Sequence, residues 1–207
     1  MSVNYKIGAG TLAIVCEGFW ETEGSMKRMF VSVVTLIFLL GTSDSPWAQA
    51  GQALPVPGVE PARDLPGAKE IPDATTEYKV LFDVAQASPT PTDVNPMLQA
   101  TARYLNTLAK VGVPAQHRKI AVIFHQGGTS AILKNDAYKA RNNGQDNPNI
   151  AIIQALKKAG VEFHVCGQAV LASKIDLKDI QPEIQLDLWA LTTIINMELR
   201  GYVRIGG

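Results

Sequence analysis

The chain has no surplus of either charge. Nineteen Lys and Arg stand against 19 Asp and Glu, so no electrostatic pull favours nucleic acid or an anionic membrane surface as partner. Cysteine is scarce, with 2 in the chain, too few for a disulfide scaffold. No Cys/His cluster has the spacing of a zinc site, and no metal is expected. Neither Gly-x-Gly-x-x-Gly nor a Walker motif occurs, so a nucleotide reading is weak and no cofactor is expected. The Gly-x-Ser-x-Gly elbow of a serine hydrolase is missing as well. Collagen triplets, sustained heptads, internal repeats and multiple membrane spans are absent. What is present is ordinary globular composition, 46% hydrophobic and 18% charged over 207 residues, enough for one sizeable core.

The first fifty residues read as processing signals. From Met26 come Lys27 and Arg28, an apolar run from Met29 to Leu40, and the exit Ala48-Gln49-Ala50. A positive start, an apolar stretch and an Ala-x-Ala exit make a secretory signal peptide over 26–50, cut after Ala50, and imply a periplasmic or secreted protein. The run is shorter than the roughly 20 residues of a membrane-spanning helix, so no stable span is expected; an uncleaved amphipathic anchor is the competing reading. Residues 1–25 lack this pattern and read as an upstream extension, with Met26 as the working start and Cys16 outside the working protein. Residues 51–76 carry Pro55, Pro57, Pro61, Pro66 and Pro72 with few large apolar groups. They read as a flexible leader, because so little burial does not offset ordering entropy. An arm ordered against a neighbouring subunit is the alternative.

From 77 to 207 the pattern alternates. Tyr78–Val84, Lys119–Phe124, Val161–Val165, Ile184–Leu188 and Tyr202–Ile205 read as strands, Lys119–Phe124 as one covered on both faces. Between the first two, Asn95 caps a helix that opens with Pro96 and carries Leu98, Ala102, Leu105, Leu108 and Ala109 at helical spacing. Lys139–Asp146 reads as a polar loop. Asn147-Pro148-Asn149 reads as the cap of a helix with Ile152, Ile153, Leu156 and Ala159 inward. Gln168–Lys174 reads as a helix, and so does Trp189–Arg200, with Leu191, Ile194, Ile195 and Leu199 inward. Short connections between alternating strands and helices imply right-handed crossovers: an α/β domain with a single five-stranded, mostly parallel sheet sandwiched between helices. Ligands of such sheets sit at the carboxyl ends of the strands.

Two strand ends there bear reactive side chains. Cys166 leaves the third strand and enters a helix, where free backbone N–H groups favour thiolate over thiol, and Gly167 allows a sharp turn that leaves the sulfur unshielded. The alternative is a small apolar filler, a common use of free cysteine. His125 leaves the neighbouring strand, followed by Gln126-Gly127-Gly128-Thr129-Ser130. It is a candidate base or ion-pair partner of a thiolate, and Gly127 and Gly128 are candidate N–H donors to an anion. A hydrogen-bonded histidine that merely finishes the strand is the alternative. His164, opposite in direction to Phe163 and Val165, is expected to face a partner or solvent. His117 reads as solvated, Ser130 has no catalytic partners, and Asp83 and Asp136 read as cap or loop acids. Tyr138, Lys139 and Arg141 read as a solvated face rather than an anion site.

Asn147-Pro148-Asn149, the stretch from Leu156 through Ala159-Gly160-Val161 to Cys166-Gly167-Gln168, Val122-Ile123-Phe124-His125 with its glycines, and Trp189-Ala190-Leu191 to Gly201-Tyr202 together resemble the DsrE/DsrF-like family of small sulfur-relay proteins. The likeness spans roughly 77–206. It implies the five-stranded parallel sheet, assembly into homotrimers or homohexamers, and a persulfide-carrying cysteine at Cys166. Three residues on, where some members have a second cysteine, this chain has Ala169. Relay members work in the cytoplasm, unlike a chain with an export signal.

Two functions compete. The first is an exported sulfur carrier or sulfurtransferase, with Cys166 and His125 as catalytic residues and Gly127, Gly128, Gly167 and Gln168 lining the substrate. It trades sulfur with donor and acceptor proteins or small thiols. The second is a non-catalytic oligomeric module that binds a small ligand or serves assembly, with Cys166 as packing.

Overall fold

Every strand of the sheet runs the same way. The computed structural model describes residues 53–206, so the segments read as an upstream extension and a signal peptide lie outside the described residues. Strands β1 (Tyr78–Val84), β2 (Arg118–Phe124), β3 (Glu162–Cys166), β4 (Gln185–Asp187) and β5 (Val203–Gly206) form one parallel sheet in the order β4-β3-β2-β1-β5. The helices are α1 (Pro96–Lys110), α2 (Asn135–Arg141), α3 (Ile150–Lys158), α4 (Gly167–Ala172) and α5 (Ala190–Leu199). This is the α/β architecture that the alternating pattern implies.

Alternation along the strands sorts side chains onto two faces. Val80, Phe82, Val84, Ile120, Val122, Phe124, Phe163 and Val165 share a core with Leu98, Ala102, Leu105 and Leu108 of α1 and with Ile153 and Leu156 of α3. Leu81, Ala121, Ile123 and Cys166 face the other way and pack with Ala190, Ile194 and Met197 of α5. All of Ile120 to Phe124 is buried, as expected for a strand covered on both sides. Asn95 caps α1 as expected, its side chain accepting from the Met97 N–H at 2.9 Å.

Four expectations need correction. The stripe read as inward on α5 is mostly outward: Leu191, Ile195 and Leu199 are exposed, while Ala190, Thr193, Ile194 and Met197 are buried. That helix is apolar nearly all round, so periodicity alone does not choose a face. The polar stretch after Asn135 is helical through Arg141, pinned by a buried Tyr138 whose hydroxyl donates to Pro91 O at 2.8 Å. Asn149 makes no side-chain cap for α3; it accepts from the Asn95 N–H at 2.8 Å, tying the starts of α3 and α1 together. Asn147 donates instead to Ala131 O and Leu133 O.

The fourth concerns the Pro-rich leader, which in its described part is strapped along α1. Val56 is 1% exposed, and Asn106 accepts from its N–H at 2.9 Å and donates to Val56 O and Val59 O at 2.8 and 2.7 Å. Further on, Ala62 N–H donates to Thr107 Oγ1 and Lys110 pairs with Asp64 at 2.7 Å. Proline-fixed backbone lowers the entropy lost on ordering, and Asn106 satisfies the polar groups this segment brings to the surface of α1.

Candidate functional site

The carboxyl ends of β1, β2 and β3 gather the residues of interest. Cys166 ends β3 and directly precedes α4. Its placement matches the sequence reading; its exposure does not. The residue is 3% exposed and belongs to the apolar cluster of Leu81, Ala121, Ile123, Ala190, Ile194 and Met197. The opening turns of α5 lie over this face of the sheet, and the sulfur is therefore covered rather than open. Gly167 serves another need than unshielding it. A Cβ there would stand 2.7 Å from Asp187 O and 3.2 Å from Leu188 O, so glycine lets the end of β4 pass close to the start of α4. Gln168 is exposed and reaches Leu188 O from its amide nitrogen at 3.3 Å.

The glycines after His125 are likewise fixed by packing. A Cβ on Gly128 would lie 1.9 Å from Val84 O, and one on Gly127 2.9 Å from Ala87 N. The Gly128 N–H donates to Ala85 O and His125 O, which takes it out of use as an anion donor. Gly127 is exposed at the head of the 3-10 turn Gln126–Ile132, and Gln126 adopts a left-handed φ of 46°. Left-handed backbone in a non-glycine residue costs about 1–3 kcal/mol and persists only where the surrounding structure holds it. Here it follows directly on His125.

His125 does not bond to sulfur; its Nε2 lies 2.6 Å from Asp83 Oδ1. The other oxygen of Asp83 accepts from Arg204 Nε at 2.9 Å and from its Nη2. The Asp83 side chain is fully buried, with His125 and Arg204 at 15% and 37% exposure forming its outer wall. Burial alone would push the Asp83 carboxyl up, but the hydrogen bonds and charges of His125 and Arg204 outweigh it and hold the group below the usual carboxylate range. Asp83, read as a cap or loop acid, thus sits at the heart of the cluster, and Arg204 was not singled out at all. The available signal was parity. Asp83 alternates with Phe82 and Val84 on the face of Leu81, and Arg204 does so between Val203 and Ile205.

His164 is buried at 7% exposure, not turned to solvent. Its Nδ1 is 2.9 Å from Asp187 Oδ2, which also accepts from Thr193 Oγ1 of α5 at 2.8 Å. Together they clasp α5 to β3 and β4, over the cluster that contains Cys166. Ser130 donates to Gly127 O at 3.2 Å and meets no acid–histidine pair. Lys139 pairs with Asp146 at 2.9 Å, and Arg141 donates to Ser173 O and Lys174 O, so neither forms an anion site. Among the described residues no group of three or more His, Cys, Asp and Glu is arranged to hold a metal, and no helix is long and apolar enough to cross a membrane.

The fold is a parallel five-stranded α/β sheet with Cys166 at one strand end and His125 just past the next. The chain belongs to the DsrE/DsrF-like family, whose model matches residues 79–205. That family is one of sulfur relay, in which members work with partners. A solved structure, the protein of unknown function MTH1491 from Methanobacterium thermoautotrophicum, is similar at 18% identity with a TM-score of 0.43, over 62% of this chain and 99% of that one. No curated protein matches the chain.

Proposed function

We propose that the chain is an exported sulfur carrier or sulfurtransferase that holds sulfane sulfur on Cys166 as a persulfide. The observation that carries this reading is the family match, which spans the whole cluster with Cys166 at the β3–α4 junction and His125 at the next strand end. The Cys166 thiolate attacks the sulfane sulfur of a donor such as thiosulfate. The donor S–S bond breaks, sulfite leaves with the electron pair, and Cys166 carries the extra sulfur. A thiol acceptor then removes it, and no outside oxidant is consumed. Because Cys166 is covered by α5, loading follows local opening of that helix, an event of the kind that exposes buried groups well below the free energy of global unfolding.

Export to the periplasm or beyond rests on the signal pattern over 26–50. Assembly into homotrimers or homohexamers draws support from apolar side chains that the fold leaves outside: Leu188 at 75% exposure, Leu199 at 82%, and Leu191, Ile195 and Trp189 at almost half. Contiguous exposed apolar groups mark an interaction surface.

One observation favours the second reading, in which Cys166 is packing and the domain is a binding or assembly module: the thiol has apolar neighbours and almost no exposure. Thiol labelling separates the two. On the first reading native protein treated with an alkylating reagent modifies Cys166 fully, at a rate below that of unfolded chain. Protein whose Cys166 stays unlabelled until denaturant is added supports the packing role, as does a Cys166→Ala variant with unchanged oligomer and ligand occupancy.

A further inference from the structure

A histidine acts as a base only through a ring nitrogen that lacks a proton, and the chain around His125 fixes which nitrogen that is. The carboxylate of Asp83 is fully buried, and its Oδ2 is taken by the guanidinium of Arg204. An ionised carboxylate only accepts hydrogen bonds, so the atom 2.6 Å from Oδ1, His125 Nε2, must carry the hydrogen. In the neutral ring the lone pair then sits on Nδ1. Among the described residues Nδ1 has no hydrogen-bond partner, and the His125 side chain is 15% exposed. Continuing the β2–β3 register one step past Phe124 and Val165 sets His125 beside Cys166 on adjacent strands, which run about 4.8 Å apart.

We propose that Asp83 and Arg204 are positioning residues that hold His125 in one tautomer, proton on Nε2 and Nδ1 bare, so that Nδ1 takes the proton of the incoming acceptor thiol. The proposal deepens the sulfur-transfer reading and rests on it. In the step, R–SH gives its proton to Nδ1, and the thiolate attacks the outer sulfur of the Cys166 persulfide. The Sγ–S bond breaks, Cys166 leaves as thiolate, and Nδ1 returns the proton to it. The products are R–S–SH and Cys166–SH, and nothing is oxidised or reduced overall. A purely stabilising role explains the cluster less well. Burying a carboxylate on the face of Leu81 and Ile123 is costly, and exchanging such an ion cluster as a whole for apolar side chains commonly does as well or better for stability.

Long-range proton–nitrogen spectra of the labelled full chain, which has 3 histidines, test this. Wild type should show His125 protonated at Nε2 alone. His164, whose Nδ1 faces Asp187, supplies the opposite tautomer as an internal reference. In Asp83→Asn, Arg204 keeps the amide oxygen and the amide NH2 faces His125, which moves the proton to Nδ1. Passage of sulfur from loaded Cys166 to a small thiol should then slow by roughly 10²–10⁴-fold, the usual contribution of a positioned base. A wild-type His125 protonated at Nδ1, or exchanging between tautomers, overturns the proposal, and that spectrum needs no variant to fold. An Asp83→Asn protein with the tautomer swapped and transfer unchanged overturns the base role. If wild-type Cys166 never loads while His125 shows the single Nε2–H form, the sulfur reading fails and the positioned histidine stands.

Discussion

Asp83 shows how far a residue's surroundings can depart from its sequence context. Burial works against its charge, yet the carboxyl is held below its ordinary value of 3.8 by His125 and Arg204. A carboxyl depressed in the folded state stabilises fully above its unfolded value, and that stabilisation is lost as pH falls through the folded one. Urea midpoints measured from about pH 6 downward should therefore fall through the acid range in wild type and fall less in Asp83→Asn. Removing the carboxylate altogether in Asp83→Ala leaves Arg204 and His125 without their acceptor, and should lower stability by about 3–5 kcal/mol. The strand-end placement of Cys166 and His125 was legible because strand ends are readable from apolar runs. Asp83 was not, since its partners lie 42 and 121 positions away in sequence and only the β1–β2 and β1–β5 pairings bring them together.

Among the elements, α5 covers Cys166. Thr193 fastens it to Asp187, and Asp187 to His164, over the face that holds Cys166. Loosening that fastening in Thr193→Val, which keeps size and removes the donor, should speed native alkylation of Cys166 several-fold. At about 1 kcal/mol for a lost hydrogen bond, the open population rises by that order. Unchanged labelling rates would mean that another element controls access. Helix and strand positions were largely readable from periodicity: β1 and the start of α1 fall where Tyr78–Val84 and Asn95-Pro96 place them. The face of α5 was not. Leu191, Ile195 and Leu199 form as good an apolar stripe as Ala190, Ile194 and Met197, and which one meets the sheet depends on the rotation of the helix in three dimensions. The strap over 53–64 was missed for a similar reason. Its partners are single polar side chains on α1, Asn106 and Thr107, and no periodicity announces them.

For the whole molecule, the outward stripe of α5 carries the prediction. If it is the face on which copies assemble, a Leu191→Glu, Ile195→Lys variant should remain folded but sediment as a smaller species than wild type. A wild-type chain that is monomeric at micromolar concentration would remove the assembly proposal. A parallel sheet collects strand ends on one edge, the chain's family is one of sulfur relay, and α5 packs over the thiol at that edge.

That account is tested by the mass of the natively purified chain, followed before and after exposure to thiosulfate or polysulfide and again after a small thiol is added, with peptide mapping to Cys166. The prediction is a gain of about 32 Da on the peptide that contains Cys166, without denaturant, and its loss when the acceptor thiol arrives. A Cys166 peptide whose mass stays unchanged through both treatments in the folded protein contradicts it and leaves the cysteine as part of the core.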